Sequence, residues 1–465
     1  MSAAASAWPE PGAPAPRQQR WSVLEWFLVA EFGFQLALLW PQLNHGVLRV
    51  LWRVGIFALS LGLLALLRGK TRRTPANVAA IWVLALLGVE LFHPLGNTWL
   101  AEIAEAGMYL AILAPLFWMT RLRFDERRFR RVIGILWAYA SVSAAVGLLQ
   151  VYFPGRFEPA ISPMVASMGQ DIAGLRIVLA NGQTIYRPMG LTDIPGGAAT
   201  AGMWAALFGL GFLLTAKPGR WRPVRRAIFL ASMGAGVLAI YLSQDRALLV
   251  VLVVWFAALL GLLLWRRRWR EFSVLAVLAL LLGAGAVRVA LRMGGAGLMQ
   301  RVYALGGMRA ENVYARERGH FLAQTFHTLI PEFPLGAGLG RWGMMNTYFG
   351  DNRSRSNGMI YVEIQWQGWV LDGGVPMLAA YLLLLGLTML SLWRLARRRG
   401  PLWMWAALCL AYDVGMLALT FDYTPFTGEP GLEFWFVNAL VLTAAAYLER
   451  RAAPAAAAPA GKWTG

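Results

Sequence analysis

The sequence predicts an all-α polytopic integral membrane protein with about twelve transmembrane helices. Of its 465 residues, 58% are hydrophobic and 14% are charged, and the mean hydropathy is +0.52, whereas a soluble domain carries about a quarter charged residues. Many apolar runs reach the ~20 residues that a helix needs to cross a ~30 Å hydrocarbon core. Strand-type alternation of apolar and polar residues is absent, and a helix satisfies its own backbone groups in lipid.

Twelve apolar intervals are predicted to span the membrane and to form one transmembrane domain, residues 22–448. They are 22–41, 48–67, 77–93, 100–119, 132–152, 196–216, 227–244, 247–265, 271–290, 362–390, 401–420 and 431–448. The flanking segments 1–21 and 449–465 are rich in alanine and proline and are predicted to be disordered cytoplasmic tails. The first tail lacks a basic stretch followed by a short apolar run, so a cleaved signal peptide is not predicted.

Loops rich in lysine and arginine are expected to stay in the cytoplasm, and basic clusters occur in every second loop. These clusters are Arg68–Arg73, Arg121–Arg131, Lys217–Arg226, Arg266–Arg270 and Arg394–Arg399. Both termini are therefore predicted to be cytoplasmic. The formal net charge of +19 is then explained by loops that face anionic lipid, and nucleic-acid binding is not predicted.

The interval 291–361, between the ninth and tenth predicted helices, is expected to be a large, partly helical periplasmic loop. Seven arginines lie between positions 301 and 355. Because a guanidinium group is permanently charged and binds phosphate or carboxylate in a bidentate way, the loop is predicted to bind an anion. A general preference for arginine is the competing explanation, since the chain contains only three lysines.

Two further arginines lie beside predicted helix ends. Arg246 follows Asp245 where two apolar runs meet almost without a loop, so its charge needs either a partner or a function. Pairing with Asp245 in a simple hairpin turn is the structural alternative. Arg187 begins the segment R-P-M-G-L-T-D-I-P-G-G, which predicts a rigid approach to the sixth helix with backbone N–H groups that can face an anion.

Residues 312–333 are predicted to form an amphipathic helix at the membrane surface. Its first turns carry Arg316, Arg318 and His320. The following P-L-G-A-G-L-G segment predicts a tight loop with exposed backbone, because glycine readily adopts left-handed conformations. The three alternate glycines of this loop are Gly336, Gly338 and Gly340. No βαβ context surrounds them, so a nucleotide-binding loop is not predicted.

The order of these elements resembles that of the bacterial O-antigen ligase and polymerase superfamily. The resemblance is carried by the segment from Arg187, the S-Q-D-R turn ending at Arg246, the arginine-bearing helix with its glycine loop, and the D-G-G-V-P segment from Asp372. It covers about residues 185–390, and the predicted helix number and topology agree with it over the whole chain.

The resemblance implies a metal-independent, inverting glycosyltransferase without a cofactor, placed in the bacterial inner membrane with its active face towards the periplasm. Its partners would be an undecaprenyl-diphosphate-linked glycan donor, a glycan or lipid-linked acceptor, membrane lipid and other polysaccharide-assembly proteins. Arg246 and Arg318 best match the family's arginine positions and would stabilise the charge of the diphosphate leaving group. Arg187 and Arg316 match next, and His320 and the glycine loop are predicted to contact the substrate.

The sequence departs from the ligase pattern at one position. Ligases carry a His-Asn pair about nine residues before the acidic residue of the Gly-Gly turn, and the corresponding position here is Glu363. A buried glutamate can act as a general base, so Glu363 is predicted to replace the histidine, with His320 as the alternative base. The competing interpretation pairs Glu363 with Arg353 or Arg355. The missing histidine favours a polymerase over a ligase.

Two other interpretations stay open at this level. Acidic residues in or near the predicted spans are also compatible with an anion or solute transporter, in which the loop arginines attract the solute. Alternatively, the chain has the family fold and has lost the activity. A metal site is not predicted, because neither a His-x-x-His nor an Asp-x-Asp motif occurs on the outer side. Cys409, inside an apolar run, is predicted to be a buried small side chain.

Overall fold

The computed structural model describes residues 21–159, 175–178, 182–216, 221–307, 318–351, 353, 357–398 and 400–457. Within these ranges the protein consists of α-helices and one two-stranded antiparallel sheet. The long helices are α1 (Val23–Ala37), α2 (Gly46–Leu66), α3 (Pro75–Glu90), α4 (Trp99–Leu113), α5 (Glu126–Tyr152), α6 (Gly197–Leu214), α7 (Arg222–Leu242), α8 (Arg246–Trp265) and α9 (Trp269–Gly307). Short turns at Pro115–Trp118 and Met119–Arg121 continue α4, and Pro154–Phe157 follows α5.

The second half of the described chain begins with a surface helix, α10. This helix consists of His320–Gln324, a π-helical turn Thr325–Leu329 and a last turn Ile330–Glu332. The remaining helices are α11 (Gly343–Phe349), α12 (Gln365–Arg397), α13 (Trp403–Leu419) and α14 (Gly428–Ala457). In the π-helical turn the Ile330 amide donates to the Thr325 carbonyl five residues earlier. Pro331 follows at once, and its ring is incompatible with regular α-helical geometry.

Nine helices in the described part of the chain are long and apolar enough to cross a membrane, which indicates a multi-pass membrane protein. They are α2, α4 with its continuing turns, α5 to α9, α12 and α14. Two shorter apolar helices, α3 and α13, and the 15-residue α1 coincide with the other predicted spans. Every predicted interval therefore overlaps a helix, while the number of twelve crossings stays a prediction.

Two predicted boundaries differ from the structure. α9 does not end near residue 290 but continues to Gly307, so the first part of the predicted 291–361 loop is helical. α14 continues to Ala457, into the tail that was predicted to be disordered from residue 449. The physical reason is the same in both places, because leucine, methionine, arginine and alanine favour helix without needing an apolar environment.

The connections between helices gather at two ends of the bundle. At the basic end, Arg121 donates to the carbonyls of Leu64 and Leu67 at 2.7 and 2.8 Å, and Arg398 pairs with Glu449 at 3.0 Å. At the other end, called the loop end, the amide of Asn97 donates to the Leu339 carbonyl and that of Gln365 to the Thr420 carbonyl. The predicted basic loops Arg68–Arg73 and Arg121–Arg131 thus adjoin each other, while the side of the membrane on which the basic loops lie stays a prediction.

A β-hairpin, absent from the sequence-based prediction, lies between α5 and α6. Strands β1 (Arg176–Val178) and β2 (Thr184–Tyr186) pair in antiparallel register, with Ile177 opposite Ile185. These two side chains are buried with Val151 of α5 and Leu242 of α7. The hairpin therefore holds the start of the 187–196 segment beside the end of α7.

Candidate functional site

Helix α10 is docked on the first turn of α12 by polar and aromatic contacts. The Gln367 side chain donates through Nε2 to the Gln324 side chain at 3.1 Å, and its Oε1 accepts from the Glu363 amide at 3.0 Å. The ring of Phe326 lies 6.0 Å from that of Trp366, centroid to centroid. These contacts place Arg318, the first described residue of the arginine-bearing segment, beside the N-terminal end of α12.

The result is an ion cluster of Arg318, Glu363 and Asp422, called the Arg318 cluster. Arg318 donates through Nη1 to Glu363, and its Nε lies 3.5 Å from Asp422 Oδ1. The three side chains are 33%, 22% and 38% exposed, respectively, so the cluster is accessible from the loop end but partly shielded. Glu363 thus pairs with Arg318 and not with Arg353, as the competing interpretation had it; Arg355, the other partner in that interpretation, lies outside the described residues.

The α13–α14 connection positions Asp422. The Gln365 amide donates to the carbonyls of Thr420 and Tyr423 at 3.2 and 3.1 Å, and the Gln365 side chain accepts from the Phe426 amide at 3.1 Å. The Trp366 indole donates to the Thr420 hydroxyl at 3.1 Å. The start of α12 therefore positions both carboxylates of the cluster. Gln367 holds the backbone of Glu363, and Gln365 and Trp366 hold the turn that carries Asp422.

Arg246 is the first residue of α8 and is half-buried at the loop end. The preceding Asp245 caps this helix, since its Oδ1 accepts from the Leu248 amide at 3.1 Å. Asp245 also lies within electrostatic range of Tyr423, the residue after Asp422. The turn that carries Arg246 thus adjoins the connection that carries Asp422. Gln244, in the same turn, has a φ of 51°, a conformation that is unusual for a residue with a side chain.

Arg187 lies at the end of the β-hairpin, and its amide donates to the Leu175 carbonyl at 2.8 Å. Its buried Nε makes no hydrogen bond among the described residues. Through the hairpin it is adjacent to the end of α7, and so to the turn before Arg246. The structure therefore places Arg187, Arg246 and Arg318 on neighbouring elements of the loop end, while Arg316 lies outside the described residues.

The segment after Arg187 is held by an ion network that the sequence did not reveal. Asp193, 2% exposed, accepts from Arg49 at 2.8 Å and from Arg53, both on α2. Arg53 also lies 3.7 Å from Glu429 at the start of α14. Asn44 bridges Asp193 at 3.4 Å. The buried Asp193 carboxylate thus joins the approach to α6 with α2, and Arg53 extends the network to α14.

The predicted glycine loop is not exposed: residues 336–340 are all buried. Gly336, Gly338 and Gly340 have φ values of 110°, 86° and 73°. A Cβ on Gly338 would lie 2.7 Å from the Cα of Gly96, and one on Gly340 would lie 2.7 Å from the Cβ of Ala101. The expectation of an exposed backbone is therefore wrong, because the loop packs against the α3–α4 connection. This packing explains the glycines without a ligand, and their role in substrate binding stays a prediction.

The same loop completes a break in α12. Gly373 and Gly374 have non-helical backbone angles inside this helix. The Leu371 carbonyl there accepts from the Ala337 amide at 2.7 Å, and the Val375 amide donates to the Pro334 carbonyl at 2.9 Å. The loop thus satisfies backbone groups that the break leaves without helical partners.

Asp372, just before the break, is completely buried. Its two oxygens accept from the Tyr109 hydroxyl and the Trp342 indole, each at 2.5 Å. The Asp372 motif therefore serves the packing of α4, α11 and α12 in this structure.

His93, in the α3–α4 connection, accepts from the Leu95 amide through Nδ1 at 3.2 Å. Burial, and then the positive charge of Arg341, lower the pKa of His93 from its ordinary value of 6.5. His320 is exposed at the start of α10, where its ring lies 3.8 Å from that of Phe321, centroid to centroid, in a tilted arrangement. Neither histidine forms part of the Arg318 cluster as the structure describes it.

Within the ranges that the structure describes, no group of three or more His, Cys, Asp or Glu side chains is arranged to hold a metal ion. The predicted absence of a metal and a cofactor stays a prediction. Cys409 is buried in α13 and is a free thiol, as its sequence position suggests.

Comparison of the chain with protein-family models returned no match, and comparison with curated proteins returned none either. The site must therefore be interpreted from its own chemistry. It combines a guanidinium group that can bind phosphate, a carboxylate that can accept a proton, and a second carboxylate that holds the guanidinium group in place.

Proposed function

We propose that the protein is a periplasm-facing glycosyltransferase of the bacterial inner membrane, with twelve transmembrane helices and cytoplasmic termini. Its donor is an oligosaccharide linked to undecaprenyl diphosphate, and its acceptor is a sugar hydroxyl on another carrier-linked repeat unit. The product is a lengthened surface polysaccharide of the O-antigen or exopolysaccharide kind. The resemblance to O-antigen ligases and polymerases supports the reaction class.

The observation that carries the proposal is the contact of Arg318 with Glu363 at the loop end. The two residues are 45 positions apart, with Arg318 just before the surface helix α10 and Glu363 just before α12. An arginine at the start of a surface helix can bind an amphiphilic diphosphate at the membrane boundary. A partly buried carboxylate next to it provides a base for the acceptor hydroxyl.

The pair also suggests how substrate binding activates the site. Without substrate, Arg318 and Glu363 neutralise each other. A diphosphate competes for the guanidinium group, since its oxygens accept charge-assisted hydrogen bonds in the same way as a carboxylate. Glu363 is then released to act as the base, while Asp422 keeps Arg318 near the site.

The reaction is a single displacement. The acceptor oxygen attacks the anomeric carbon while its proton passes to Glu363, and the bond from the anomeric carbon to the diphosphate oxygen breaks. Arg318 and Arg246 stabilise the negative charge that appears on undecaprenyl diphosphate. Attack from the opposite face inverts the anomeric configuration. No metal is required, because guanidinium groups supply the charge stabilisation.

A polymerase is favoured over a ligase because Glu363 stands where ligases carry histidine. The ligase alternative transfers the glycan to lipid A-core instead of to another repeat unit. Deleting the gene distinguishes them: loss of a polymerase leaves single repeat units, whereas loss of a ligase leaves full-length polymer that is not attached.

The proposal is tested with full-length protein in proteoliposomes and undecaprenyl-diphosphate-linked repeat units, with product length read on gels. Glu363→Gln is expected to lower the rate about 100-fold or more, as for loss of a general base. Arg318→Lys keeps the charge but loses bidentate binding and is expected to lower the rate as well. Glu332→Gln, the same carboxylate-to-amide change at an exposed position at the end of α10, is the matched control. Unchanged polymer with Glu363→Gln would remove Glu363 as the base.

A further inference from the structure

An apolar groove lies far from the Arg318 cluster, between α8, α12 and α13 near the basic end. Its volume is about 550 Å³. Small residues and two tryptophans line much of it, namely Ala258, Gly261, Ala407, Ala411, Trp265 and Trp393. Gly261 and Trp265 are exposed, so the groove opens to the outside of the bundle. On a multi-pass membrane protein that side faces lipid.

Arginines surround the basic end of this groove. The guanidinium group of Arg397 lies over the Trp265 ring, 5.4 Å from its centroid. The Trp265 ring in turn lies 4.8 Å from that of Trp393, centroid to centroid, with an angle of 32° between the ring planes. Arg266 and Arg268 lie over the Trp403 ring at 4.5 and 5.1 Å. Contacts between cations and aromatic rings hold guanidinium groups in defined positions while leaving their N–H donors at the ring edge.

Arg266, at the end of α8, also joins this helix to α12, and both helices line the groove. It donates through Nη1 to the Ala396 carbonyl at the end of α12. Arg397 is exposed, and the Arg268 side chain is 40% exposed, so both can reach a ligand from outside. Arg268 also pairs with Glu271 at 3.3 Å, and Arg397 lies over a tryptophan that lines the groove, so the basic end places positive charge beside the apolar volume.

We propose that this groove binds one anionic phospholipid of the surrounding membrane, with an acyl chain in the groove and the phosphate at Arg397 and Arg268. A guanidinium group binds phosphate in a bidentate way. The small side chains make room for a chain that larger residues would exclude. The basic end is predicted to be cytoplasmic, where anionic lipid attracts arginine. This site does not depend on the glycosyltransferase proposal.

The test is native mass spectrometry of the full-length protein with phosphatidylglycerol or phosphatidylcholine of identical chains. The wild type is expected to retain one phosphatidylglycerol more strongly than phosphatidylcholine. Arg397→Gln is expected to weaken the binding of phosphatidylglycerol about fivefold. This is the equivalent of about 1 kcal/mol for one arginine near an anionic headgroup. Arg398→Gln changes an exposed arginine of the same basic end that pairs with Glu449 instead of lying over a groove tryptophan, and it should leave retention unchanged.

Filling the groove gives a second, independent variant. A Cβ on Gly261 meets no atom within 4 Å, so the first atom of a leucine side chain fits there, and Gly261→Leu fills part of the groove. It should abolish the retained lipid, whereas Gly62→Leu, which has equally open space on α2, should not. Equal retention of the two lipids, or unchanged retention in both groove variants, would overturn the proposal. Dissociation of a dimer by Gly261→Leu would overturn it too, because a second copy would then fill the groove.

Discussion

Replacing Asp193 with asparagine removes the negative charge between two buried guanidinium groups. Asp193 is 2% exposed, and the side chains of Arg49 and Arg53 are 9% and 10% exposed. Asparagine has nearly the same shape, so the change tests charge and hydrogen bonding rather than packing. Arg53 keeps a contact of 3.7 Å to Glu429, whereas Arg49 keeps its hydrogen bond to Asn44.

Removing one partner of a buried ion pair costs about 3–5 kcal/mol, because the remaining charge stays in a medium of low polarity. Because Arg53 still contacts Glu429, we expect Asp193→Asn to lower the free energy of unfolding by the lower limit of this range, about 3 kcal/mol. Glu449→Gln breaks the pair with Arg398, whose side chain is 63% exposed, and should cost less than about 1 kcal/mol. This variant is the matched control.

The assay is SDS titration of the full-length protein in mixed micelles, followed by far-UV circular dichroism. Asp193→Asn and Arg49→Met are measured singly and together. The double variant should lose less than the sum of the single losses, by at least about 0.5 kcal/mol, if the two side chains interact. Strict additivity, or a loss for Asp193→Asn no larger than that of Glu449→Gln, would refute the assigned ion network.

Three further predictions concern the loop end. Gly338→Ala should destabilise the protein by about 2–4 kcal/mol in the same titration, because it combines a left-handed backbone with overpacking against Gly96; Gly62→Ala, in open space on α2, should be neutral or stabilising. The lowered pKa of His93 means that its neutral form supports the fold, so stability should fall as the pH drops below about 6.5; His93→Gln should reduce this pH dependence, and an unchanged pH profile would contradict the assignment. Phe326→Ala removes a ring contact worth about 1 kcal/mol. It should speed amide hydrogen exchange in residues 320–332 about fivefold, with no comparable change in α7. Equal exchange in the variant and the wild type would show that the Trp366 contact does not hold α10.

The helices were predictable because each membrane span is a long, local pattern of apolar residues. The ends of α9 and α14 were not, since a helix that continues beyond its apolar stretch leaves no mark in hydropathy. The hairpin of three-residue strands was too short to show alternation. The hairpin is stabilised by the burial of Ile177 and Ile185 against α7, and such a tertiary contact cannot be predicted from a local pattern.

The candidate site was predictable in its parts and not in its pairing. Arg318 and Glu363 were identified from separate motifs, yet their contact depends on how α10 docks on α12. Asp422 was missed because it is a lone acid in a connecting turn, although its neighbourhood, F-D-Y-T-P-F-T-G-E-P, combines acidic residues with turn formers. Asp193 lay inside a recognised motif, but its partners on α2 are about 140 residues away in the chain.

The break in α12 limits how the surface helix can move. Two backbone hydrogen bonds tie residues 334 and 337 to either side of the break, and leaving these buried backbone groups unpaired would be costly. The segment from Pro334 onwards therefore behaves as an anchor, and any motion of α10 over a substrate has to pivot at Phe333, whose amide still bonds to Leu329 at 2.7 Å. Arg318 lies sixteen residues before Pro334, at the end of the described segment that is farthest from this pivot. A small rotation at Phe333 therefore moves its guanidinium group farther than any residue of α10.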